Sequence, residues 1–66
     1  MTERETRDCH ERTAKAHDRT ALRERRRASL AYRVGDHVGA HRHSLAADRA
    51  AERARRYRAL AQEVMQ

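Results

Sequence analysis

The sequence predicts an all-α fold, a two-helix antiparallel hairpin that dimerises into a four-helix bundle. Three observations carry this. Strong helix formers run through the chain without a single proline. Gly35-Asp36 is one sharp break near the middle. Small and apolar residues recur at alternating spacings of three and four on both sides of that break, which is heptad spacing.

Helix one has a start signal. Thr2-Glu-Arg-Glu5 has the form of a capping box, a hydroxyl at the cap and a carboxylate three residues on. The helix is expected over about residues 3–34. Glu3–Arg7, Arg4–Asp8, Asp8–Arg12 and Glu11–Lys15 are oppositely charged pairs at i,i+4 that support its first turns.

Gly35 can take the left-handed conformation that ends a helix, and Asp36 is a good N-cap for the next. Ser44 is a second possible N-cap. The turn therefore spans about residues 35–36, or 35–44 with Gly39 in a loop. The early start gives helices of nearly equal length and is preferred. It places Gly39 inside the helix, at about 1 kcal/mol. Helix two then runs to about residue 65.

In helix one the seam reads His10, Ala14, His17, Ala21, Glu24, Ala28 and Ala31. In helix two it reads Ala47, Ala50, Ala54, Tyr57, Ala61 and Val64. A short connection makes the helices antiparallel. The early turn then sets Ala21 against Ala50, His17 against Ala54 and Ala14 against Tyr57. Leu22, Leu30, Leu45 and Leu60 lie off these seams and are expected to form a second apolar stripe facing another chain.

The core is thin. Leu, Ile, Val and Phe together make seven of 66 residues, below the roughly 20% at which disorder becomes the prior. Ordering a residue costs about 1.5 kcal/mol, while apolar burial returns about 25 cal/mol per Å². A monomer is marginal, so a homodimer or a docked complex is expected.

Arginine supplies 15 of 66 residues, alanine 13, and the net charge is +6. Such a balance attracts polyanions, although a GC-rich codon usage writes the same residues. The charge is uneven. Residues 19–33 sum to +5 and residues 49–66 to +3, whereas 1–18 and 34–48 each sum to −1. Arg23, Arg25, Arg26, Arg27 and Arg33, with Arg49, Arg53, Arg55, Arg56 and Arg58, are therefore the candidate phosphate-binding residues. Only Tyr32 and Tyr57 could stack on bases, which disfavours single-strand readout.

Two readings of function stand side by side. One is a small basic regulator that binds nucleic acid through the arginine-rich faces. The other is an adaptor or inhibitor that docks Leu22, Leu30, Leu45, Tyr57, Leu60 and Val64 on a larger protein, with arginines on its acidic rim.

His37, His41 and His43 cluster at the turn. On a helix, His37 and His41 would face one metal ion, with His43 or Asp36 as a third ligand. The pattern is common by chance, and polar turn histidines are the simpler account, so no cofactor is expected. His17 and Glu24 on the seam read as a register-setting polar pair. No nucleophile, base and orienting group can be assembled, and there is no glycine-rich phosphate loop, so the protein is expected not to be an enzyme. Cys9 is the lone cysteine, which fits a reduced cytoplasm. No apolar run approaches a membrane span, and membrane association is not expected.

Overall fold

A computed structural model describes residues 1–64. It contains two helices, α1 over Glu3–Arg33 and α2 over His37–Val64, packed side by side into a hairpin 49 Å long and 13 Å across between Cα atoms. No helix among the described residues is long and apolar enough to cross a membrane. The last residue or so of the expected second helix, Met65, lies outside the described residues.

The start of α1 follows its sequence signal. The Glu5 N–H donates to Thr2 Oγ1 at 3.2 Å, and the Thr2 hydroxyl donates to the Glu5 carboxylate at 3.1 Å. The second bond differs from a full capping box, in which the carboxylate would accept from the cap's own N–H. Thr6, Thr13 and Thr20 each turn their hydroxyl back to the carbonyl four residues earlier.

The break at residue 35 is a Schellman motif. The Gly35 N–H donates to the Tyr32 carbonyl at 3.1 Å and the Asp36 N–H to the Ala31 carbonyl at 2.8 Å. Gly35 has φ +83°, which is left-handed backbone that a Cβ would strain. Helix α2 takes the early start. Asp36 caps it by accepting the Gly39 N–H at 2.8 Å. Gly39 is part of this cap, because a Cβ there would collide with the Asp36 carboxyl group. The glycine that looked like a cost to the helix makes room for the residue that starts it.

The core is an alanine seam. Ala14, Ala21, Ala40, Ala47, Ala50, Ala54 and Ala61 are buried, with Glu24 among them, and among the described residues no large side chain is fully buried. The seam continues past Ala47 to Ala40 and His43, which only the early turn allows. Tyr57 lies level with Ala14, its ring stacked on His17 at 5.6 Å and tilted against His10 at 5.9 Å. The register is therefore the expected one.

Three expectations need correction. The four i,i+4 ion pairs of the first turns do not form. Arg7 instead approaches Asp8 at 3.8 Å, since exposed pairs are worth only a few tenths of a kcal/mol and do not hold two long side chains in place. Tyr57 and Val64 lie on the seam inside the hairpin and are half-buried there, apart from the exposed leucines they were grouped with. His17 and Glu24 do not act together. His17 stacks on Tyr57, and Glu24 reaches across to α2.

Candidate functional site

The buried seam fixes a heptad frame. In α1, Ala14, Ala21 and Ala28 occupy position a, and His10, His17, Glu24 and Ala31 occupy d. In α2, Ala40, Ala47, Ala54 and Ala61 are a, and His43, Ala50, Tyr57 and Val64 are d. In an antiparallel pair the e positions of both helices flank one side of the seam and the g positions the other. The ion pair between Asp18 and Arg58, both at e, crosses the hairpin on the e side as this frame requires.

The two broad sides differ in charge. The side built from positions g and c carries Arg23 and Arg27 on α1 and Arg42, Arg49, Arg53 and Arg56 on α2, against a single acid, Glu63. The opposite side, e and b, carries Arg4, Lys15, Arg25, Arg55 and Arg58 together with Asp8, Glu11, Asp18 and Asp48. Four acids thus lie on one side and one on the other, with Glu5 and Glu52 on the outer f spines between them. Among the described residues, Arg23, Arg42, Arg49, Arg53 and Arg56 form no ion pair, and all are exposed. Arg12, Arg19, Arg26 and Arg33 repeat every seventh residue along the outer spine of α1, at f, and border both sides, as Glu5 and Glu52 do. These four arginines also form no ion pair among the described residues.

This geometry divides the arginines expected to meet phosphate. Arg23, Arg27, Arg49, Arg53 and Arg56 share one side, with Arg26 and Arg33 at its edge. Arg25, Arg55 and Arg58 lie on the mixed side. Arg58 is held by Asp18, and Arg55 bonds Glu52 at 2.6 Å. Arg42, Arg12 and Arg19 were not expected. Their signal was present as a seven-residue spacing, but it is lost when charge is summed over segments rather than over faces.

A polar clasp ties the two helices near the turn. His43 Nδ1 lies 2.6 Å from Glu24 Oε2, and Arg27 donates to Glu24 Oε1 at 3.0 Å. The Glu24 side chain is 12% exposed, so its charge is answered by protein groups. The hydrogen bond from His43, helped by the Arg27 charge, holds the Glu24 carboxyl below its usual range despite partial burial. Glu52 is likewise lowered by its hydrogen bond from Arg55.

The clasp removes His43 from the expected metal set. His37 meets the Tyr32 ring edge-on at 5.1 Å, and no group of three or more ligating side chains is assembled among the described residues. His37 and His41 remain an exposed pair without a third donor.

The leucines do not form one stripe. In the heptad frame Leu22 is b, Leu30 is c, Leu45 is f and Leu60 is g. Leu22 and Leu30 point away from α2, while Leu45 points away from α1. They are 48%, 59% and 40% exposed, and Leu60 is half-buried on the basic side. Apart from Met1 at the start of the chain, the other exposed large apolar residues, Tyr32, Val34 and Val38, gather with Leu30 at the turn end. No protein family, curated protein or solved structure matches this chain.

Proposed function

We propose that this hairpin is a small non-enzymatic regulator that binds nucleic acid through its basic side. The observation that supports the reading is the segregation of charge. Five arginines outside any ion pair share the side whose g and c positions hold a single acid, Glu63, with Glu52 at its edge beside Arg56. Like charges gathered this closely repel, and each finds its most favourable partner in an external phosphate. Reversing Arg49 and Arg53 to Glu should abolish nucleic-acid binding in a filter assay. Reversing Arg25 and Arg55 to Glu, on the mixed side, should weaken it far less. Equal losses from both pairs would mean that net charge alone, and no defined side, attracts the ligand.

The same reading includes a homodimer. The hairpin exposes 5240 Å². A compact 7.7 kDa protein exposes about 4,300 Å². The surplus, about 900 Å², is close to what one partner contributes to a standard interface. A second reading, a protein-docking adaptor, draws support from the turn end, where Leu30, Val34 and Val38 are 59%, 82% and 65% exposed. It requires that Leu30→Glu abolish capture of a protein partner and that capture be only mildly sensitive to salt.

A further inference from the structure

We infer that the basic side is built for a duplex, taking the phosphates of both strands and no bases. The inference rests on the nucleic-acid reading above. It comes from two features of the hairpin that the charge count alone does not contain.

The first is that the arginines stand in two rows. Arg42, Arg49 and Arg56 repeat every seventh residue on α2, with Arg53 beside them. At about 1.5 Å per residue, this row extends about 21 Å. On α1, Arg23 stands level with its middle, and Arg27, bonded to Glu24, stands nearer the Arg42 end. Helices packed through alanine have axes about 8 Å apart, and each arginine reaches several Å further. The two rows therefore flank a strip comparable in width to a duplex groove, about 12 Å for the major groove of B-form DNA. A duplex presents two phosphate strands, with one charge per about 1.7 Å of axis, twice the linear density of a single strand. Two rows of guanidinium groups answer two strands. A single strand would leave one row unoccupied.

The second feature is where the aromatic rings are. Proteins that hold single strands stack successive bases on exposed aromatic side chains, each worth about 1–3 kcal/mol by alanine substitution. This chain has two tyrosines and no other Phe, Tyr or Trp. Tyr57 is held in the seam between His10 and His17. Tyr32 is at an e position, on the side opposite the arginine rows, with its ring against His37. Neither can stack a base that lies on the basic side. Among the described residues, the g and c positions of that side carry no aromatic ring, so guanidinium planes are the groups a base could meet there.

The test is fluorescence anisotropy of the full chain with three labelled probes of equal length, a mixed-sequence DNA duplex, the same sequence as an RNA duplex, and single-stranded oligo-deoxythymidine. At moderate salt, at least one duplex should bind about tenfold tighter than the single strand, and its logarithmic salt slope should be about −4.5 to −5.5 for five or six neutralised phosphates. Arg42→Ala and Arg56→Ala should each reduce that slope by about one, with helicity unchanged. Tyr32→Ala should leave binding to every probe unchanged. Which duplex binds tighter distinguishes DNA from RNA as the source of the paired strands. Single-strand binding equal to or tighter than both duplexes, or a several-fold loss with Tyr32→Ala, overturns the duplex inference and leaves the nucleic-acid reading standing. If no probe binds, the nucleic-acid reading itself falls.

Discussion

Glu24 is the one charged residue in the alanine seam, and its behaviour follows from what surrounds it. A carboxylate removed from water is costly unless it is answered, and here His43 answers from α2 and Arg27 from its own helix. Because the folded carboxyl is held below the ordinary value of 4.5, the unfolded chain takes up its proton first as pH falls. The stabilisation is present above that value and is lost as pH drops through the lower, folded one. Thermal melts should therefore show a drop in stability below about pH 4.5. Glu24→Gln should flatten that part of the profile. An unchanged acid limb in the Gln variant would show that the clasp does not bear on folding.

At the scale of elements, the turn rests on three residues with separate duties. Gly35 supplies left-handed backbone, Asp36 caps α2, and Gly39 leaves room for the Asp36 carboxyl group. Gly35→Ala should destabilise the hairpin by about 1 kcal/mol, since it forces a Cβ into that backbone region. Asp36→Ala should cost a similar amount, about 1 kcal/mol, through the lost cap. Gly39→Ala gains helix propensity worth about 1 kcal/mol but displaces the cap, so its net effect should be close to zero. Thermal denaturation of the three variants separates these cases, and a clear loss at Gly39 would show that the cap matters more than the helix propensity. At the centre of the seam the helices approach through Ala21 and Ala50, both buried. Enlarging a central seam residue, as in Ala50→Leu, should cost about 1–3 kcal/mol, because nothing nearby can yield but the helices themselves.

For the whole molecule, the governing fact is a core with no large, fully buried side chain among the described residues. Burial of alanine removes little apolar area from water, so a lone hairpin has little to set against the entropy of ordering its chain. A partner that buries further surface stabilises it by mass action. If that partner is a second copy, the melting temperature should rise with protein concentration, and sedimentation should give twice the 7.7 kDa chain mass. A concentration-independent melt at the monomer mass would remove the dimer and leave stabilisation to the ligand.

The sequence by itself determined the helices, the place of the break and the seam. All three are local or periodic properties, written in caps, a glycine and a spacing of three and four. The early turn was also legible, from the balance of helix lengths, although the reason for Gly39 was not. It appears only when the Asp36 carboxyl group is seen to occupy the space of a missing Cβ. What tertiary structure decided is how the faces are shared out. His43 looked like a turn histidine and is the cross-helix partner of Glu24. The leucines looked like a stripe and point in different directions. The arginines looked like two blocks along the chain and resolve into one basic side and one mixed side. Charge summed along a sequence has no direction. A side exists only once two helices are paired in a definite register, because residues far apart in the chain then meet the same solvent.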